Sequence, residues 1–126
     1  MNRRPVYFEL HRIAFPVGSV ASFLHRLSGV LLVFALPLLA EAFGRSLAGP
    51  AGFEEVAGWF DGWPGRFAAI ALAWALTHHL LAGLRHLAMD AGVGWRLPQA
   101  RMSARAAIVG GLICALVVAL VLWPAR

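Results

Sequence analysis

The sequence predicts an all-α integral membrane protein of three transmembrane helices preceded by an N-terminal interfacial arm, and three observations carry that expectation. Of 126 residues, 60% are hydrophobic and only 13% charged, the composition of the membrane class. Clusters of glycine and proline cut the chain into three long apolar stretches. Eleven arginines, with no lysine beside them, gather at the ends of those stretches, where topology determinants sit. The net charge of +5 comes without a basic stripe interleaved with aromatics, which argues against nucleic acid as a partner. Cys114 is the only cysteine and C-x-x-C-H is missing, so neither a disulfide framework nor c-type haem attachment is expected.

The whole chain reads as one membrane-anchor domain. Residues 1–18 form the arm: Pro5 and Pro16 disfavour a continuous helix, Arg3, Arg4 and Arg12 suit a cytoplasmic membrane surface, and Tyr7, Phe8 and Phe15 are placed to anchor at headgroups. The basic start has no prompt apolar region or small-residue cleavage site, so it is not read as a signal peptide.

Length fixes the first span. The uncharged run Leu27–Ala40 gives only about 21 Å of helix, short of the roughly 30 Å hydrocarbon core. Extension to about residues 21–43 reaches across, at the cost of placing His25 and Arg26 inside the membrane near the cytoplasmic end. Pro37 is expected to kink the outer half. Residues 44–65, rich in glycine and proline, read as a periplasmic loop with a short surface helix around Phe53–Phe60 and with Trp59 and Trp63 as interfacial belt residues.

The second span meets the same constraint. Phe67–Thr77 is too short alone, and only continuation to about residue 89 crosses the core. His79 then lies near the midplane, while Arg85, His86 and, on the antiparallel first span, Arg26 fall at one level nearer the cytoplasmic end. Residues 90–103 read as a cytoplasmic loop and about 104–123 as a third span, whose Gly110 and Gly111 permit close helix contact. Arg3, Arg4, Arg12, Arg96, Arg101 and Arg105 fall on one side, against Arg45, Arg66 and Arg126 on the other, which predicts a cytoplasmic N-terminus.

Ionisable groups in hydrocarbon cost a few kcal/mol each and persist mainly when they bind something or pair. His79 and His86 are two helical turns apart on one face, with Gly83 between them on the same stripe, where a missing side chain lets a flat macrocycle approach. A neutral imidazole is a standard axial ligand for haem iron. One such histidine on an apolar face is ordinarily a packing residue; two, with a glycine and an arginine, bring a cofactor into equal contention. His78 and Arg85 make the adjacent stripe, and Arg85 either snorkels to the interface or holds a carboxylate such as a haem propionate. On the first span Ser22, His25 and Arg26 share a face. Ser22 and Arg26 are suited to hydrogen-bond the carbonyls of a quinone, against the plainer readings of a hydroxyl bonded back to its own helix and a snorkelling arginine.

Arg4-Pro5, the run Ser22-Phe23-Leu24-His25-Arg26-Leu27-Ser28-Gly29 and the run His79-Leu80-Leu81-Ala82-Gly83-Leu84-Arg85-His86-Leu87-Ala88-Met89-Asp90 together resemble the cytochrome b membrane-anchor subunit of bacterial succinate dehydrogenase, respiratory complex II. The resemblance covers nearly the whole chain. It implies half of a haem-binding helical bundle in the inner membrane, completed by a second three-helix anchor subunit, with a flavoprotein carrying FAD and an iron–sulfur subunit carrying its clusters docked on the cytoplasmic side. In that family succinate is oxidised at the flavin and electrons pass through the iron–sulfur clusters to ubiquinone, linking the tricarboxylic acid cycle to the respiratory chain. By motif position His79 matches the axial ligand of haem b, with the other ligand from the partner anchor. Ser22 and Arg26 match quinone-site residues, and His25, Arg26 and His86 lie around the haem and its propionates. His78 stands where close relatives carry an aromatic, and the face shared with Gly83 and His86 favours His79 as the ligand. Three helices cannot enclose a haem, so a partner is expected on physical grounds as well.

Two other classes compete. One is a haem-free structural, quinone-binding anchor of a related fumarate reductase or succinate dehydrogenase. The other is a small transport subunit using His79, His86 and Arg85 as a proton relay.

Overall fold

The computed structural model describes residues 14–123; most of the arm, with Arg3, Arg4, Pro5 and Arg12, lies outside them, as does Arg126. Among the described residues all regular structure is helical: α1 (Val17–Ser46), α2 (Pro50–Gly58), α3 (Trp63–Asp90) and α4 (Leu97–Leu122). α1, α3 and α4 are each long and apolar enough to cross a membrane. At 1.5 Å per residue their 30, 28 and 26 residues span about 45, 42 and 39 Å, so each overruns the roughly 30 Å hydrocarbon core.

Proline starts the helices. Pro50, Pro64 and Pro98 occupy the first turns of α2, α3 and α4, where a missing N–H costs nothing and the fixed φ is already helical. Pro98 therefore lets α4 begin ahead of its apolar stretch. Pro37 lies inside α1, which runs through it as helix. Between α3 and α4 the chain reverses through Gly92 and Gly94 at φ +80 and +74, a conformation that glycine adopts without strain.

Where the helices touch, the side chains are small. Ala75, His78 and Ala82 of α3 and Ala104, Ala107 and Gly111 of α4 are buried, each set spaced three and four apart, and Ala21 and Ser28 bring α1 to the same seam. The large apolar side chains point outward instead, as Phe34 at 74% exposure and Leu38 at 71% illustrate. Outward bulk and an inward seam of alanine and glycine are what lipid as solvent permits, since tails compete for leucine as well as another helix does.

Gly111 shows how tight the seam is. A Cβ there would stand 3.0 Å from His78 Cβ and 3.2 Å from Trp74 Cδ1. Gly111→Val is expected to lower the thermal stability of the detergent-solubilised protein by an amount typical of overpacking, about 1–3 kcal/mol. Leu112→Val, on the 57%-exposed neighbouring face, is expected to change it little, and equal melting of the two variants would contradict this seam.

At the end away from the histidines, α2 folds against α1. Arg45 donates through Nε to Glu41 at 2.7 Å and through Nη1 to Glu55 at 2.8 Å, and its guanidinium carbon stands 6.0 Å from the centre of the Trp59 ring. These ion pairs are exposed and contribute little energy, but they orient α2 on the end of α1.

Candidate functional site

The first half of α1, the second half of α3 and the first turns of α4 meet toward one end of the bundle, and there the polar side chains gather. The two stripes of α3 face different neighbours. His79, Gly83 and His86 look toward α1, whereas His78 and Arg85 look toward α4.

On the α1 side the imidazoles of His25, His79 and His86 form a cluster. His25 stacks on His79 with ring centres 4.2 Å apart and planes 19° from parallel, and meets His86 edge-on at 5.1 Å. Gly83 admits His25, whose Nε2 comes within 3.4 Å of where a Cβ would be. Gly29 does the same for His79: a Cβ there would stand 3.0 Å from His79 Cε1. Two glycines on facing helices thus let two rings lie flat in the interface.

The hydrogen bonds of His79 decide its tautomer. Nδ1 lies 3.1 Å from the carbonyl oxygen of His25 and 3.3 Å from Ser28 Oγ. Ser28 donates its own proton to the same carbonyl at 2.9 Å, so both oxygens face His79 as acceptors. Nδ1 therefore carries the proton of a neutral ring, and Nε2 keeps its lone pair, with no hydrogen-bond partner among the described residues. This is the arrangement by which proteins fix an imidazole ligand, one nitrogen donating to a carbonyl and the other left for a metal. No three histidine, cysteine or acidic side chains converge as a cage for a bare metal ion among the described residues.

His78 is turned the other way. It is fully buried, stacked on Trp74 with ring centres 5.7 Å apart, and its Nδ1 and Nε2 lie 3.1 Å from the Ala107 carbonyl of α4 and 3.4 Å from the Ala21 carbonyl of α1. Arg85, one stripe-repeat further on, donates through Nε to Ser103 Oγ at 3.2 Å and through Nη2 to the Ala100 carbonyl at 3.3 Å.

Ser22 and Arg26 lie on the outward side of α1. With Gly18, Ser19 and Phe23 they line an open groove of about 370 Å³. The Arg26 guanidinium is exposed, and neither it nor the Ser22 hydroxyl has a hydrogen-bond partner among the described residues.

The sequence profile described as the succinate dehydrogenase/fumarate reductase transmembrane subunit matches residues 1–119. The chain belongs to this family. It is 33% identical over 120 residues to the succinate dehydrogenase cytochrome b556 subunit of Paracoccus denitrificans, a match covering 95% of this chain and 92% of that one. The subunit of the same name from Coxiella burnetii is 32% identical over 123 residues, covering 96% and 98%. Membership, with three helices of spanning length, makes this transmembrane subunit a multi-pass membrane protein. It is part of an enzyme complex of the respiratory chain.

Some residues of the transmembrane subunit's site escape a reading of single motifs. The face that Ser22, His25 and Arg26 were expected to share is split, with His25 turned toward α3 and the other two on the groove; Ser28 and Gly29 continue the His25 side by one more turn, and that spacing was the available signal. Nothing comparable announces Ser103 or the Ala100 carbonyl as partners of Arg85.

Proposed function

We propose that this chain is the cytochrome b anchor of a bacterial succinate:quinone oxidoreductase, holding haem b jointly with a second three-helix anchor and forming part of the ubiquinone-reduction site. The observation that carries the proposal is the His79 imidazole, with Nδ1–H given to the His25 carbonyl and Nε2 left as a ligand. His78 supports the same assignment from the opposite side, because both of its nitrogens face carbonyls inside the bundle. Bound between the anchors, haem b supplies a one-electron iron centre. His25, stacked on the ligand ring and seated on Gly83, and His86 beside it, would line the macrocycle edge and its propionates. Arg85 acts on that site at one remove: its contacts with Ser103 and Ala100 tie α3 to α4, and it keeps donors for a propionate.

At the groove on α1, Arg26 and Ser22 each offer an N–H or O–H with no competing acceptor among the described residues, which suits the two-acceptor carbonyl of a quinone. The Ser22/Arg26 pair resembles that of ubiquinone users. In this reading the flavoprotein, with its FAD, and the iron–sulfur subunit dock at the histidine-bearing end. The arginine distribution favours a cytoplasmic position for that end, and the family resemblance implies the inner membrane. The chain performs no catalysis alone.

A proton relay through the three imidazoles is less well supported, because His25 and His79 meet face to face at 19° and not donor to acceptor.

The test is purification of the membrane complex through a tag on this chain, with a dithionite-reduced minus oxidised spectrum and identification of the co-purifying subunits. A b-type band with a flavoprotein and an iron–sulfur protein is the expected result. The same partners without a haem band would leave a haem-free, quinone-binding anchor, and neither would return the relay to consideration.

A further inference from the structure

Two consecutive histidines on one helix do opposite things here, and the contrast assigns a role to the one that faces inward. His78 and His79 are about 100° apart around α3. Yet they reach the Ala21 and His25 carbonyls, which are four residues apart and so lie in one row along α1. At the same time His78 Nδ1 lies against Ala107 of α4, where the helix is held close by Gly111. Rotating α3 about its axis in either direction would open at least one of these contacts. It would also press His78, the largest fully buried side chain among the described residues, against the small residues beside it.

We infer that His78 is a positioning residue for His79: by fixing the rotation of α3 between α1 and α4, it sets the plane in which the His79 imidazole presents Nε2. The inference rests on the proposal that His79 is the axial ligand. It concerns geometry: the ring nitrogens of His78 lie against the Ala107 and Ala21 carbonyls, outside the stacked His25, His79 and His86 rings. Three features limit the freedom of its ring. Trp74 covers one face at 9° from parallel, Gly111 leaves no slack beside Cβ, and the two carbonyls bracket the nitrogens. A neutral ring donates to one of those carbonyls at a time, and both carbonyls belong to helices that already use them, so exchanging the ring for an apolar one of similar shape leaves no donor or acceptor stranded.

That makes His78→Phe the informative variant. Phe removes the ties while adding a little bulk beside Gly111, so the amount of complex and the haem geometry are read separately. The complex is purified through a tag on this chain, its haem-to-flavin ratio is measured, and the ferric haem is examined by electron paramagnetic resonance, whose largest g value responds to the orientation of an axial imidazole plane. His78→Asn, with an amide where Nδ1 stands, and His78→Gln, with an amide reaching toward the place of Nε2, test the α4 and α1 ties separately.

The expected result is a His78→Phe complex with wild-type haem-to-flavin ratio, a displaced largest g value and an altered haem potential, both moved back toward wild type by at least one amide variant. A merely structural role would lower the amount of complex without moving the g value of what assembles. Should His78→Phe not assemble, the amide variants decide in its place: a displaced g value in either supports the inference. Wild-type g values and potential in every variant that assembles overturn it while leaving His79 as the ligand. If His78 variants lose haem while His79→Ala keeps a six-coordinate spectrum, the ligand assignment itself is wrong, and the positioning role falls with it.

Discussion

The complex carrying His79→Ala is expected to lose the b-type difference band while still assembling with the flavoprotein and iron–sulfur protein proposed as its partners. The physical reason is that His78, the neighbouring imidazole on α3, is not free to take over. His78 is fully buried with both nitrogens against carbonyls, and it could reach a haem only if α3 turned within the seam. His25 rests on Gly83, and His86 stands edge-on to the His25 ring. Loss of an outer hydrogen-bond partner typically weakens a metal site about 10–100-fold, and loss of the ligand itself should exceed that. Assembly should survive, because His79 is only partly buried and is not part of the alanine and glycine seam. The measurement is haem per flavin in the purified complex. Retention of a full six-coordinate spectrum would remove His79 from its role.

Arg26→Leu is expected to separate two activities of the same preparation. Succinate oxidation with an artificial acceptor should be nearly unchanged, while reduction of ubiquinone should fall by roughly 10–100-fold, the effect of removing a charged hydrogen-bond donor worth about 1.5–3 kcal/mol. The basis is the exposed guanidinium, without a hydrogen-bond partner among the described residues, beside Ser22 in the groove on α1, at a depth where an arginine without a purpose is costly. Equal losses in the two assays would show instead that Arg26 serves assembly.

Much of this architecture was legible in the sequence, because the bilayer reduces the problem to length and polarity. The span arguments for Leu27–Ala40 and Phe67–Thr77 forced both helices to carry their histidines and arginines into the membrane, and the period of the helix put His79, Gly83 and His86 on one face. A helical face, however, does not say which neighbour it meets. That His78 and Arg85 look toward α4 depends on the close approach permitted by Ala104, Ala107 and Gly111, and no spacing within α3 encodes it. Gly83 illustrates the same limit. Its missing side chain was readable as room for a macrocycle, but its immediate visitor is the His25 ring from α1. Ser28 and Gly29 carry no chemistry that draws notice in isolation; their importance comes from what stands 3 Å away on the other helix.

The small-residue seam has a consequence for how this subunit can change over time. In a water-soluble protein the bulky apolar positions are the ones least free to vary, because they fill the interior. Here bulk faces outward at Phe34, Leu38 and Leu120, where any apolar residue of suitable length would satisfy this chain's own fold. Ala75, Ala82, Ala104 and Gly111, which contribute almost no mass, admit no larger substituent without separating helices. Mutational tolerance in this bundle therefore runs inversely to side-chain size, and drift is expected to rewrite the large residues while sparing the small ones.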